Sequence, residues 1–364
     1  KNIKVYGSTE YKNKFKPNYV NIDLSKRGIG SQTREYIKKF IIFEKKNPSD
    51  LIEIHNRPNY LKYLYEKLNV RNFILFFHND PLSMDGSKTT EEREYLLKKC
   101  HRIIFNSNWS KNRFLEGMNN NLVNSVKLLV FFQSARKTNL KNINNKKKWI
   151  TFVGKLNKAK GYDIFAKAIT NILNKNPDWR AKVVGDEKRE KILLKHKNAD
   201  LLGFLNHKTV LDIFKKTSIA VVCSRWDEPF GRTSLEAAAN GCAVIISNKG
   251  GLPETVTNAI ILNQLNEKEL EIKINNLIKN NNKRKDLQNL SIRNFFLTHK
   301  YVSNLIDSYR KEKLYNGNLF FTKNNKKPLR ILHVTNFNER LDGRLFFNTG
   351  RRINNGFIRL GHSV

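Results

Sequence analysis

The chain has 364 residues, 39% of them hydrophobic and 27% charged, which is enough apolar material for two domains with buried cores and excludes a wholly disordered chain. Lys and Arg number 68 against 32 Asp and Glu, a net charge of +36, but the basic residues are spread along the chain rather than gathered in a stripe. Three scattered cysteines, Cys100, Cys223 and Cys242, exclude a disulfide framework and fit a reducing compartment, and no apolar run approaches the ~20 residues of a membrane span.

In chain order, short apolar runs at residues 3–6, 51–54, 73–77, 103–105 and 126–131 read as buried parallel strands. A second set follows at 150–153, 181–184, 219–222, 244–246 and 260–262. Helical periods lie between them. Tyr36, Ile37, Phe40 and Ile41 follow Ser31 as a cap, and Ile164, Phe165, Ala168, Ile169, Ile172 and Leu173 form an apolar stripe. Alternation of this kind predicts an α/β protein with doubly wound sheets. Polar breaks at 139–148 and 319–328 divide the chain into domains at 1–140 and 141–297, a helix at 298–318, a linker at 319–328 and a last segment at 329–364. In that segment residues 329–334 read as a strand, and Phe346, Gly350, Ile353, Phe357 and Leu360 as one face of a helix. The expectation is that it packs against a sheet edge or face.

The most specific stretch is Glu228-Pro-Phe-Gly-Arg-Thr-Ser-Leu-Glu236, with seven residues between the glutamates. A strand feeds a loop holding Gly231, and a helix is expected to open near Thr233 and Ser234. That places backbone N–H groups and a positive dipole end at the carboxyl edge of the sheet, a ready anion site. Glu228 is expected in the loop over this site and Glu236 in the first helical turn beside it. One carboxylate would accept from sugar hydroxyls, the other from a ribose. Phe152-Val-Gly-Lys-Leu-Asn-Lys-Ala-Lys-Gly161 follows another strand and offers two ammonium groups, Lys155 and Lys160. Leu202-Gly-Phe-Leu205 and Gly250-Gly-Leu-Pro-Glu254 end further strands, where ligands bind open α/β sheets. In the first half, His55 and His78 each close a strand and Asp80 follows the second. Ser107 and Ser110 read simply as helix caps. Histidines and cysteines show no ligand spacing, so no metal is expected.

These motifs resemble glycosyltransferase family 4, retaining enzymes of the GT-B fold, over roughly residues 1 to 316. The resemblance implies two Rossmann-like domains facing across a cleft, an acceptor-side domain at 1–140 and a nucleotide-sugar-binding domain at 141–297. The helix at 298–318 would return to the first domain. It implies Glu228 and His78 as catalytic residues. The donor would be held by Gly154, Lys155, Lys160, Gly203, Phe204, Phe230, Gly231, Thr233, Ser234 and Glu236, the nucleobase being met through the backbone near Gly203. His55 and Asp80 are candidate substrate contacts. Family members usually carry Arg where this chain has Lys155, which keeps the charge and loses the two-pronged fork.

The reaction implied is sugar transfer from a nucleotide-diphosphate sugar to a glycan or lipid-linked acceptor, in cell-surface polysaccharide or lipopolysaccharide synthesis. It needs no cofactor or metal, since the nucleotide-sugar is the donor substrate. The implied location is cytoplasmic, with a peripheral contact to an anionic membrane at the inner face, and no nucleic-acid partner. A sugar-nucleotide epimerase or phosphorylase of the same fold is the nearest rival, and a basic nucleic-acid or membrane-surface binder the non-enzymatic one. The family's opening strand, Gly-rich loop and helix are missing before residues 3–6, and residues 329–364 resemble that opening. The chain is then either one transferase lacking its start followed by the start of a second such enzyme, or a permuted arrangement.

Overall fold

The structure, a computed structural model, describes residues 3–8, 18–24, 31–69, 71–122, 125–139 and 146–314. The chain divides into two compact units, Lys1–Ser303 and Asn304–Val364, and every described strand lies in the first. The expected tail strand at 329–334, its helix and the linker at 319–328 lie outside the described residues.

In chain order the first lobe comprises β1 (Val5–Gly7), β2 (Tyr19–Asn21), α1 (Gln32–Lys46), β3 (Leu51–His55), α2 (Tyr60–Leu68), β4 (Asn72–Phe77), α3 (Thr90–Lys99), β5 (Arg102–Phe105), α4 (Asn108–Leu115) and β6 (Leu128–Val130). The second comprises β7 (Lys147–Val153), α5 (Tyr162–Lys175), β8 (Arg180–Val184), β9 (Ala199–Leu201), α6 (His207–Lys216), β10 (Thr217–Val222), α7 (Arg232–Ala239), β11 (Ala243–Ser247), β12 (Ile260–Leu262), α8 (Glu267–Lys279) and α9 (Asn281–Arg293). A last helix, α10 (His299–Leu314), comes after them. At its start, within the first unit, Ser134 Oγ lies 2.9 Å from His299 Nδ1 and Ala135 bridges to Thr298.

All strand pairs are parallel. The second sheet runs β12-β11-β10-β7-β8-β9, so the order reverses between β7 and β10. This is the doubly wound arrangement, and the switch point outside the carboxyl ends of β7 and β10 is where open α/β sheets generally bind ligands. The expected stripe on α5 is wholly buried from Ile164 to Leu173, packed on Ile150, Phe152, Ile219 and Val221 of the two central strands. Lys146, just before β7, donates to Phe214 O at 2.9 Å and Asn240 O at 2.6 Å, the carbonyl ends of α6 and α7. A half-buried cation between two negative helix poles suits this position.

The first-lobe sheet runs β3-β4-β5-β6 in sequence order. Phe73, Ile74, Leu75, Phe76 and Phe77 are all buried, so β4 is covered on both faces, and Phe77 stacks on Phe105 with ring centroids 5.5 Å apart. Strand β1, expected in this sheet, instead pairs with β2 in a separate two-stranded sheet, Val5 opposite Tyr19. Tyr6 packs edge-on against Phe40 of α1. The short strand β2 was not expected, because Tyr-Val-Asn carries too little apolar pattern to register, while β9 is the strand that the loop at 202–205 ends. The strand expected at 126–131 is shorter, Leu128–Val130.

Candidate functional site

The loops at the strand ends carry the motif residues. After β7 the chain passes Gly154 and an exposed Lys155 into a one-turn helix at Lys158–Lys160. Asn157 caps that turn by accepting from the Lys160 amide at 3.0 Å. Gly161 then takes a left-handed φ of 71°, and a Cβ there would lie 1.8 Å from Cys223 O, so only glycine lets the turn meet the end of β10. The contact is extended by Ala159 O, which accepts from the Arg225 and Trp226 amides at 2.9 and 3.1 Å. Arg225 forms a paired ion contact with Asp163 in the first turn of α5, at 2.5 and 2.8 Å. The lysine turn and the glutamate loop are therefore held as one unit.

The consequence is that Lys160 Nζ reaches Glu228 Oε1 at 2.8 Å and lies 5.0 Å from the centre of the Trp226 ring. Two motifs 68 residues apart converge on a partly buried ion pair. Lys155 makes no ion pair among the described residues.

Gly231, at φ 101°, starts α7 one residue before the expected place, with Arg232 as the first helical residue. Glu236 consequently stands beyond the first turn, which holds no acidic residue. This corrects the first-turn expectation. Glu236 is buried, and its Oε1 is met by Arg232 at 2.7 Å and His207 Nε2 at 3.1 Å. The two positions in the motif between them divide by environment. Thr233 is half-buried, while Ser234 is enclosed, donating to Gly231 O at 2.8 Å with Thr255 Oγ1 also 2.8 Å away. Phe230 is 2% exposed and stacked on Phe132, so its ring is committed to packing. Gly203, at the end of β9, accepts from the Gly185 amide at 2.9 Å, and Phe204 beside it is 80% exposed.

In the first lobe, His55 closes β3 and His78 follows β4. Their rings stack with His55 Nδ1 3.1 Å from His78 Nε2, and His55 also stacks on Phe76 at 4.4 Å. Burial, with a smaller contribution from His55, pushes the His78 pKa down to about 4, so its imidazole is neutral at pH 7. Asn56, the one described non-glycine residue with positive φ (58°), accepts from the amides of His78 and Asn79 at 3.1 and 3.2 Å. A left-handed asparagine at a strand end is a strained position held by these bonds. Asp80 is occupied structurally, accepting from the Leu82 amide at 3.1 Å and from Arg113 at 3.3 Å through both oxygens.

Arg232, His207, Trp226 and Asn56 were not singled out from sequence. Arg232 alone had a signal, its place four residues before Glu236 on a helix. Among the described residues no group of three or more His, Cys, Asp or Glu side chains could hold a metal ion, and no helix is long and apolar enough to cross a membrane.

Residues 134–293 match the family model of glycosyl transferases group 1. The chain is 25% identical over 303 residues to spore coat protein SA of Bacillus subtilis, covering 74% of this chain and 80% of that protein. It is 27% identical over 178 residues to the lipopolysaccharide core biosynthesis mannosyltransferase LpsB of Rhizobium meliloti, 45% of this chain and 50% of that one. Among solved structures, Anabaena HepE in complex with UDP and glucose superposes with a TM-score of 0.62 at 18% identity, over 78% of this chain and 84% of that chain. The fold is GT-B, and the matched region supports a glycosyltransferase.

Proposed function

We propose that the chain is a retaining, metal-independent glycosyltransferase of family 4 that moves a hexosyl or related sugar from a nucleotide-diphosphate sugar to a glycan or lipid-linked acceptor. The observation that carries this reading is the Lys160–Glu228 pair, 2.8 Å apart beside the start of α7. A cation poised there meets the diphosphate, whose negative charge rises as the glycosidic bond breaks. Once Lys160 turns to the diphosphate, Glu228 is free to accept hydrogen bonds from the donor sugar.

In the proposed step the C1–O bond to the diphosphate breaks and the diphosphate leaves with the electron pair. The acceptor hydroxyl oxygen bonds to C1 on the same face, and its proton passes to the departing phosphate oxygen. Lys155, Lys160 and the backbone from Gly231 to Thr233 hold the diphosphate, and Glu236 holds the ribose. His78, neutral, exchanges hydrogen bonds with hydroxyls near C1 rather than supplying charge. The UDP and glucose held by HepE and the mannosyl transfer named for LpsB favour a nucleotide-sugar donor here too. A lipid-linked acceptor in polysaccharide or lipopolysaccharide synthesis would place the chain at the cytoplasmic face of an anionic membrane, which its net charge of +36 suits.

A thermal-shift screen against UDP-, GDP- and ADP-sugars tests this first. A ligand at a hundredfold excess over its Kd raises stability by ~2.7 kcal/mol. NMR of the product's anomeric proton then checks retention. Absence of both binding and transfer sinks the reading. An altered nucleotide-sugar formed without acceptor would replace transfer with epimerisation, and phosphate-dependent sugar release would point to a phosphorylase.

A further inference from the structure

Between His78 in the first lobe and Glu228 in the second runs a short chain of buried polar groups. Asn106, Ser107 and Ser110 are 3%, 0% and 0% exposed. Asn106 Nδ2 donates to His78 O at 2.9 Å, while Asn106 Oδ1 accepts from Ser110 Oγ at 2.9 Å. The Ser110 amide donates to Ser107 Oγ at 2.9 Å, which makes Ser107 the N-cap of α4. The Ser107 hydroxyl then crosses the lobes and donates to Pro229 O at 2.5 Å. Pro229 follows Glu228 directly, and the Glu228 carbonyl is held from its other side by the Gly251 amide at 2.6 Å. A second tie crosses at the same place, where the Glu254 carboxylate accepts from the amides of Asn108 and Trp109 at 2.7 and 2.8 Å.

We propose that Asn106, Ser107 and Ser110 are positioning residues that set Glu228 in register with His78 across the two lobes. The inference rests on the transferase reading, in which those two residues flank the reacting carbon. The physical case lies in what the contact is made of. Replacing a buried polar contact by apolar groups of the same shape is nearly neutral for stability, so joining the lobes did not require one. A hydrogen-bonded network fixes direction as well as proximity. Here it fixes the carbonyl of Pro229, one residue after Glu228, and the carbonyl of His78, while touching no residue assigned to the nucleotide. Loss of the network should therefore misalign the reacting groups and leave nucleotide affinity intact.

The test is Ser107→Gly. Glycine is tolerated at an N-cap at little cost to the helix, yet it cannot donate to Pro229. We expect kcat to fall about tenfold with the Kd for UDP or GDP held within about twofold, and Ser107→Thr, which restores the hydroxyl, to recover most of the loss. Backbone amides at 227–231 should exchange faster with solvent in Ser107→Gly. An active Ser107→Gly with wild-type kcat overturns the proposal, as does unchanged exchange at 227–231. A fall in kcat matched by equal losses in nucleotide affinity and melting temperature overturns it too, by reducing Ser107 to a structural role. Failure of the transferase reading shows separately, as wild-type protein that transfers no sugar at all, and removes the catalytic role of these residues with it.

Discussion

The two lobes furnish the candidate site with different chemistry. The second supplies charges, with Lys160 on Glu228 at 2.8 Å, Arg232 on Glu236 at 2.7 Å, and Lys155 exposed nearby in sequence. The first supplies a neutral His78 with amide and hydroxyl groups around it. The His55 and His78 rings stack, Asn56 and Asn106 hold the His78 backbone, and Ser107 reaches across to Pro229. Charged side chains fit a leaving diphosphate, whose charge grows along the reaction and rewards cations most at the transition state. Neutral groups can both donate to and accept from hydroxyls, whereas the carboxylates of Glu228 and Glu236 can only accept from them. The contrast makes the second lobe the side whose chemistry should respond to salt and charge substitution, and the first the side that should respond to geometry.

The largest effect should follow from breaking the charged side at its centre. Glu228→Ala is expected to lower kcat by more than about ten-fold, since its hydrogen bonds to the sugar matter most as the ring flattens. Steady-state transfer at saturating donor measures this, and near-normal turnover would remove Glu228 from the mechanism. Glu236→Ala should divide the other way, raising the nucleotide Kd with a smaller change in kcat, as calorimetry and single-turnover rates together would show. If both substitutions raise Kd equally and spare kcat, the two glutamates share one binding role.

The two sides were also unequally legible in the sequence. Each run expected as a strand within the described residues overlaps an observed one, because parallel strands covered on both faces are near-continuous apolar runs bounded by polar turns. The charged site was visible because its spacing is local. Glu228 and Glu236 share one loop and helix, and Lys160 sits in a glycine-bounded turn after a strand. What the sequence could not reveal was pairing at long range, such as His207 with Glu236 or Lys160 with Trp226. The start of α7 falls one residue earlier than its sequence suggests, since a left-handed Gly231 can cap a helix as well as interrupt a loop. Ser107 shows the limit most clearly. Its capping role was readable from its own neighbours, but its hydrogen bond to Pro229, 122 residues away, belongs to the tertiary fold.

A smaller effect distinguishes the two lysines. Lys160→Ala removes a cation already paired at the site and should weaken donor binding about tenfold. Lys155→Arg keeps charge and adds a planar fork suited to phosphate, so donor affinity should hold or improve a few-fold. Isothermal titration with the nucleotide-sugar, repeated at low and high ionic strength, would expose both. Equal and negligible changes would place the diphosphate elsewhere.

The smallest effect belongs to the neutral side, and its value lies in being nearly flat. With the His78 pKa pushed down to about 4 by burial and by His55, the ring stays uncharged across the physiological range. Transfer rates should therefore show no titration of His78 between about pH 5.5 and 8. Stability carries the complementary signature. In the unfolded chain the same ring has its ordinary pKa near 6.5, so between about pH 4 and 6.5 the unfolded state binds more protons than the folded one. His78 thus adds stability that is fully present above about pH 6.5 and is lost as pH falls toward 4. Removing the second ring by His55→Ala takes away the lesser cause, so His78 should titrate slightly higher, still well below 6.5. NMR titration of the His78 ring protons, read beside melting temperatures over the same pH range, checks both. A His78 that titrates near 6.5 in the folded protein would put a cation into the first lobe at mildly acidic pH and erase the contrast between the two sides.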